Sequence, residues 1–322
     1  MKRLKFILPL LILSLLLPLF IKNNYYQMLF CQTFINIIVV LGLNFITGLT
    51  GQMNLGTAGI FAIGAYISAL LSVNFSISPW IGLLLAIAAG YLIGKGLGYP
   101  SLRVKGIYLA LTTLGFGEIV RLLATNLEPV TGGTHGVNNI PGFNVFGLAI
   151  DNARSFYYFL LVITLIMIAI SVRLINSKWG RAFKAIRDNI EAVEGSGIDV
   201  ADIKVKAFTV AAIYGCIGGA LYANLMGYIN PAGFTTDYSI SFLIMLMLGG
   251  IGSVGGSIIG SIIVTILPEM MRFLQDYYAL IFSAIVLVFS IFLPNGLVSL
   301  VKIPFKSRSR ETNGDIKKKG GN

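Results

Sequence analysis

Little in this chain is equipped to make or break bonds. Its single histidine, His135, cannot build a zinc site alone. The two cysteines, Cys31 and Cys216, lie in apolar runs, with neither metal-ligand spacing nor a disulfide framework. Gly250-Ile-Gly-Ser-Val-Gly255 fits G-x-G-x-x-G. Dinucleotide binding also needs a preceding strand, a following helix and an acidic residue about 20 positions on. Between two apolar runs the motif reads as a packed turn. Gly90…Gly94-Lys95-Gly96 is one residue short of a phosphate loop and lacks the Ser or Thr that would hold magnesium. Neither H-E-x-x-H nor G-x-S-x-G occurs. The sequence therefore offers no catalytic group, cofactor site or metal site. What remains is of two kinds: polar residues isolated in apolar surroundings, and one dense polar segment over 175–204.

The elements that carry them are set by composition. Of 322 residues, 56% are hydrophobic and 11% charged, with mean hydropathy +0.84. Soluble domains carry about 25% charged residues, and disorder requires still more polarity. The fold class expected is all-α, a polytopic bundle of membrane helices. Apolar runs near span length fall at 4–21, 27–46, 56–73, 79–99, 106–124, 154–174 and 205–228. A glycine-broken run follows at 239–267, and a last span at 278–294. That makes about eight full spans plus one interrupted segment. The first resembles a signal peptide, but no A-x-A-like cleavage site follows it, so it reads as a retained span. Residues 1–300 form the membrane domain, and 301–322 a basic, disordered tail.

Orientation follows from Lys and Arg, which concentrate on cytoplasmic loops. The net charge is +11. Twenty of the 24 basic residues fall in four places: the N-terminus, 95–105, 173–206 and the tail. With 173–206 inside, counting spans backwards puts the other clusters inside too. Both termini are then cytoplasmic, and the charge needs no nucleic-acid partner. Parity requires 239–267 to cross an even number of times. Twenty-nine residues are short for two full helices at 1.5 Å per residue. The break Gly249-Gly-Ile-Gly-Ser-Val-Gly-Gly256 therefore reads as two short helices on a tight turn, or a re-entrant pair. A similar break, Thr47-Gly-Leu-Thr-Gly-Gln-Met-Asn-Leu-Gly56, precedes the third span. Broken helices at membrane depth mark substrate sites in transporters.

Within the spans, Gly90, Gly94 and Gly98 form a small-xxx-small stripe, as do Gly215 and Gly219. Glu118 and Arg121 are spaced i, i+3. They either pair with each other or meet the charged ends of a substrate. Asn36, Asn44, Gln52 and Asn54 are suited to interhelical hydrogen bonds. Gln52, Asn54, Glu118, Arg121, Gly249, Gly250 and Gly252 are the candidates to line a path. Glu269 faces Arg272 at i, i+3. Tyr25, Tyr26, Trp80, Tyr157, Tyr277 and Tyr278 near span ends form an interfacial belt.

The segment 175–204 reads as an amphipathic helix over 181–194. Ala182, Ile186 and Ile190 share one face with Phe183 and Val193 beside it, and Gly195 and Gly197 stop it. Such a helix either lies on lipid headgroups or docks in the groove of a partner. Glu191-Ala-Val-Glu-Gly-Ser-Gly197 resembles the E-A-A-x-x-x-G pattern of ABC-importer permeases. Gly180-Arg-Ala-Phe-Lys-Ala-Ile-Arg-Asp188 is similar to the branched-chain amino-acid permeases in particular. So are Thr47–Tyr66, which contains Gly51-Gln-Met-Asn-Leu-Gly56, together with Leu102–Ala110, Thr113–Arg121, Thr131-Gly-Gly-Thr-His-Gly136, Asn230-Pro-x-x-Phe234 and Gly249-Gly-Ile-Gly-Ser253. These blocks occur in family order between about 30 and 300, with Asn54 where the family has Ser. The Thr-Gly-Gly block matches the longer, LivM-type partner of the two-permease pair.

The resemblance implies a transport subunit, not an enzyme, in a bacterial-type cytoplasmic membrane. It implies a second permease, two cytoplasmic ATP-binding subunits and an extracytoplasmic substrate-binding protein as partners. Gly180, Arg181, Ala185, Arg187, Asp188, Glu191, Ala192 and Gly197 would then meet the ATPase. Leucine, isoleucine and valine are the implied cargo, with urea or short amides as the alternative. A channel or secondary carrier is the different-class reading, and it has no use for a coupling helix.

Overall fold

The computed structural model describes residues 23–299 apart from 103, 105, 146–147, 151, 272–276 and 294–295, together with Ser14, Leu17 and Pro18. It is a helical bundle, in which the described strands are a two-residue antiparallel hairpin of Asn144–Val145 with Leu148–Ala149. The long helices are α1 (Asn24–Leu43), α2 (Thr57–Asn74), α3 (Pro79–Ser101), α4 (Ile107–Asn126) and α5 (Ala153–Ile175). Two short helices, α6 (Lys178–Asp188) and α7 (Ile190–Gly195), lead into α8 (Val200–Met226). After it come α9 (Thr236–Gly249), α10 (Val254–Met270) and α11 (Tyr278–Phe292).

Seven described helices are long and apolar enough to cross a membrane: α1 with its extension to Leu49, α2 to α5, α8 and the stretch Pro231–Gly249. The last expected span, 278–294, contains the helix α11, with 15 described residues and about 22 Å of rise. The first half of the glycine-broken run reaches span length, because the turn Pro231–Gly233 leads into α9. The expected first span, 4–21, lies outside the described residues except at three positions, and so does the tail 301–322. Arg272, the partner expected for Glu269, is also outside them.

The helix α8 is the centre of the bundle, packed by α1, α2 and α3. Lipid tails are as apolar as leucine, so helices gain from touching only when backbones come close. Glycine makes that possible here. A Cβ on Gly94 would sit 2.4 Å from Thr209 Cα, and one on Gly90 2.8 Å from Ile213 Cα. Gly98 meets Val205 in the same stripe. On the other side of α8, a Cβ on Gly219 would sit 1.9 Å from the Phe61 carbonyl. The α2 residue Gly64 approaches Cys216 as closely. Both expected stripes are therefore contact faces.

Polar side chains add interhelical bonds. Asn36 Nδ2 donates to Thr265 Oγ1 at 2.9 Å, Asn224 Nδ2 donates to Ser68 Oγ at 2.8 Å, and Ser171 and Tyr214 pair at 2.9 Å. Outward positions on α3, α4 and α5, among them Leu84, Leu92, Leu111, Ile119, Val162 and Ile166, are exposed and apolar. Such a surface suits lipid or a partner helix, not water. Tyr25, Tyr26, Trp80 and Tyr277 are exposed as a belt requires. Tyr157 is not. It is buried against Phe30 and Phe34, and its hydroxyl donates to the Ser14 carbonyl at 2.6 Å.

The stripe makes a contrast three residues wide. Gly94→Val must push α3 off α8, an overpacking cost of about 1–3 kcal/mol, and a drop of several degrees in the melting temperature in detergent is expected. Gly96 has nothing within 4 Å of its Cβ position, so Gly96→Ala leaves that temperature unchanged or raises it. Equal behaviour of the two variants would refute the packing assignment.

Candidate functional site

The polar segment is held at one end of the bundle by local rules. Ser177 caps α6, its Oγ accepting from the Trp179 and Gly180 amides. A Cβ on Gly180 would sit 2.2 Å from the Ile175 carbonyl, so the fold of α6 back against α5 requires glycine there. Phe183 and Ile186 are then buried on the bundle. The Phe183 ring lies edge-on to Phe45 with centroids 6.4 Å apart.

The helix expected over 181–194 is in fact two. Asn189 is extended, with φ −159° and ψ 107°. Its amide closes α6 by donating to the Ala185 carbonyl at 2.9 Å. Its side chain opens α7 by accepting from the Ala192 amide at 3.0 Å. Asparagine competes with the helix for its own backbone bonds, and that wins here over apolar periodicity. Gly197 follows in the left-handed region at φ +74°, and Asp199 caps α8. The apolar face also differs from both readings of an amphipathic loop. Phe183, Ile186 and Val193 are buried on this chain's own bundle, with Ala182 and Ile190 half-buried beside them. Gly180 is buried with them and Ala185 is half-buried. Arg181, Asp188, Glu191, Ala192 and Gly197 are exposed together with Glu194. The free surface is polar apart from Trp179 on α6.

Arg187 is exposed as well, but its guanidinium reaches back to the bundle. Its Nη1 donates to the Gly48 carbonyl at 2.6 Å. Gly48 belongs to a six-residue π-helical stretch, Asn44–Leu49, that extends α1. In that stretch the Thr50 and Gln52 amides both bond to Ile46 O. The arginine passes over Gly51, whose Cβ position lies 3.4 Å from its Cγ, and reaches Gly252, whose Cβ position lies 3.3 Å from Nη1. Gly252 N in turn donates to Asn44 Oδ1 at 2.8 Å. Both glycine breaks and the polar loop thus meet at one end of the bundle.

The second break is the turn Gly250–Ser253 between α9 and α10. Gly250 and Gly252 hold φ of +128° and +83°. The two helices touch backbone to backbone: a Cβ on Gly249 would sit 1.9 Å from the Gly256 carbonyl, and one on Gly260 1.8 Å from the Met245 carbonyl. This is the pair of helices on a tight turn expected for the glycine-broken run. Its turn lies against Gly48 and Arg187, at the loop end rather than half-way along the bundle.

The remaining path candidates divide. Glu118 and Arg121 bond to each other, with Nε at 3.0 Å and 3.1 Å from the two carboxylate oxygens. Gln52 takes a bond from Thr50 within its own loop, and Asn54 caps the start of α2 by accepting from the Gly56 amide at 2.8 Å. Two residues that periodicity does not reveal complete that cap. Ser239 Oγ accepts from Ala58 N at 2.8 Å, and Thr113 Oγ1 from Leu55 N at 3.0 Å. Thr113 stands in one quoted block and Leu55 in another, so the blocks dock on each other; Ser239 carries no such signal. At the opposite end, Val137 and Ile229 exchange backbone bonds at 2.9 Å and 3.1 Å. These join the Thr131–Gly136 loop to the Asn230–Phe234 turn, and His135 is exposed beside them.

Comparison with known proteins decides the family. A family profile described as branched-chain amino acid transport system / permease component matches residues 25–291. This chain belongs to that family. It is 33% identical to the high-affinity branched-chain amino acid transport system permease protein LivM of Salmonella typhimurium, over 96% of this chain and 78% of the relative. The LivM of Escherichia coli K12 gives the same identity and coverage. A probable LivM of Methanocaldococcus jannaschii is 25% identical over 86% of this chain and 95% of its own length. No solved structure matches. The chain is a multi-pass membrane permease component, not an enzyme. Family membership gives the sequence blocks a common reason, and the structure shows which of them touch.

The hinge at Asn189 is open to test. Removing a side-chain cap costs about 1 kcal/mol. Asn189→Ala is expected to speed hydrogen exchange of the Ala192 amide by about fivefold, with the α3–α8 contact unaffected. Unchanged exchange would mean that α7 does not depend on this cap.

Proposed function

We propose that this chain is the membrane-spanning subunit of an ATP-driven importer of leucine, isoleucine and valine. The observation that carries the reading is the exposed polar surface of α6–α7, which bears the coupling-loop motif while its apolar side is buried in the bundle. A helix pair braced in this way can receive a push and pass it on. An amphipathic helix resting on lipid would instead leave its apolar face outward. The LivM relatives support branched-chain amino acids as the cargo.

In this reading both termini and α6–α7 are cytoplasmic, as the clustering of basic residues favours. Residues 175–204 are the coupling loop of a membrane domain spanning 1–300, and 301–322 is a basic cytoplasmic tail. One of two ATP-binding subunits seats on Arg181, Asp188, Glu191 and Ala192. A second, similar permease packs on the exposed apolar helices, with the path between the two chains. Glu118 and Arg121 are partly exposed on α4, so they can face that path while satisfying each other at rest. An extracytoplasmic binding protein delivers cargo to the end formed by Thr131–Gly136 and Asn230–Phe234. Closure of the ATPases moves α6–α7, and the bundle exchanges outward for inward access.

Ala192 is exposed and adjoins the motif glutamate, so it offers a clean lesion. Ala192→Trp is expected to abolish copurification with the ATPase while leaving insertion and thermal stability of the permease intact. Normal assembly in that variant would sink the docking assignment. In reconstituted complex, ATP-dependent uptake of labelled leucine is expected, with urea uptake at background. ATP-independent uptake would move the protein to the channel or carrier class.

A further inference from the structure

Docking alone does not say how a displacement of α6 reaches the spans. Phe183 and Ile186 hold α6 by apolar contact, which is non-directional and lets a helix slide or roll. Arg187 makes a directional contact from the same helix. Its guanidinium reaches the carbonyl of Gly48, at the C-terminal end of the π-extended α1. Carbonyls at a helix end carry the negative pole of the helix dipole. A cation bonded there at 2.6 Å makes a charge-assisted hydrogen bond, roughly twice as strong as a neutral one.

The same contact engages a second element. Gly48 and Gly252 are neighbours: a Cβ on Gly48 would sit 2.9 Å from Gly252 N and 1.9 Å from Asn44 Oδ1. Asn44 Oδ1 is the acceptor for Gly252 N. The α9–α10 turn is thereby tied to α1 through Asn44, and the guanidinium lies over both. Gly296 closes the group from the chain's C-terminal side; its Cβ position is 2.3 Å from Gly250 Cα.

We propose that Arg187 is a strut: a positioning residue that turns displacement of α6 into simultaneous displacement of the α1 end and the α9–α10 turn. The inference rests on the importer reading above and reassigns one residue within it. Arg187 serves the permease interior, not the ATPase surface. Two elements that lie far apart in sequence then move as one, because the guanidinium holds the Gly48 carbonyl, Asn44 ties that stretch to the Gly252 amide, and two glycines leave room for the arginine. A π-helical segment is a reasonable place for such a joint, since its bonding is locally irregular and it is found often at functional sites.

The test uses the complete complex, with both permeases, both ATPases and binding protein, in lipid vesicles. It measures leucine transported per ATP hydrolysed. Arg187→Ala is expected to copurify with the ATPases at wild-type yield and to hydrolyse ATP, but to transport at least tenfold less leucine per ATP. Hydrogen exchange should rise at both 48–52 and 250–253. Arg187→Lys keeps the charge without the fork and should recover part of the ratio. Asn44→Ala cuts the tie to Gly252 and should lower the ratio as well, and the double variant should be no worse than Arg187→Ala. Should Arg187→Ala prove too unstable to purify, Arg187→Lys carries the same reading, with a transport ratio below wild type at unchanged ATPase copurification. Loss of ATPase copurification in Arg187→Ala would make it a docking contact and overturn the strut. So would a transport ratio within twofold of wild type in either single variant, or faster exchange at only one of the two breaks. Failure of the wild-type chain to assemble with an ATPase at all would instead strike the importer reading.

Discussion

Backbone that leaves a helix loses its in-helix hydrogen bonds and, where it is buried, must find other partners. That constraint organises one whole end of this protein. The chain interrupts its helices after Leu49 and again after Gly249. Each interruption would be costly alone. Brought together, they satisfy each other: Asn44 takes the Gly252 amide, Arg187 takes the Gly48 carbonyl, and Ser253 accepts from the Gly256 amide to start α10. The loop containing α6 is thus more than an appendage for a partner. It supplies a donor that the membrane helices lack.

The rest of the bundle depends on the same economy of contact. With no water to expel, dispersion between close backbones does much of the holding. The stripe of α3, the α2–α8 crossing and the α9–α10 pair all use glycine to bring main chains within contact distance. These faces resist sliding because each glycine accepts one neighbour and no side chain could replace it. The apolar contact under α6 is of another kind. It joins side chains, Phe183 to Phe45, and such contacts tolerate small shifts. The molecule therefore combines rigid glycine-mediated crossings at its centre with a softer seat for the loop. Movement imposed on α6 would be absorbed in that seat unless something stiffer crossed it.

Much of this was legible in the sequence, and the exceptions have physical causes. The spans, the two stripes and the paired helices at 236–270 follow from hydropathy and spacing, because the bilayer prescribes length and glycine prescribes contact. The division of the loop at Asn189 was missed. Periodicity sees only the apolar positions, and a continuous helix would have placed them almost as well; the cap that breaks it is a local polar competition. What covers the apolar face of α6 was also beyond the sequence, since lipid, partner and self all accept the same stripe. Tyr157 was read as an interfacial aromatic from its place near a span end, yet its ring fills a gap between helices. Arg187 is a surface charge by position and by exposure, and its bond to Gly48 is not legible from spacing. A residue's position on a helix fixes its direction to within a turn, but the reach of an arginine lets it cross from an exposed face to a carbonyl on another element.

The distribution of charge also bears on where the energy for movement enters. The described helices hold few ionisable groups at depth, and the pair on α4 neutralises itself. A carrier driven by protons or sodium needs a titrating or coordinating group that changes partners as it turns over. Glu118 already has three contacts with Arg121 and would have to give up a charge-assisted pair to serve that role. The polar surface of α6–α7 carries no such cost. Its charges are solvated at rest and can be covered by a partner without breaking a bond inside the bundle. In the proposed importer, force applied there would reach Arg187 and, through it, the two places where the membrane helices are interrupted. A protein arranged in this way is better suited to being moved from its loop than to moving itself from its core.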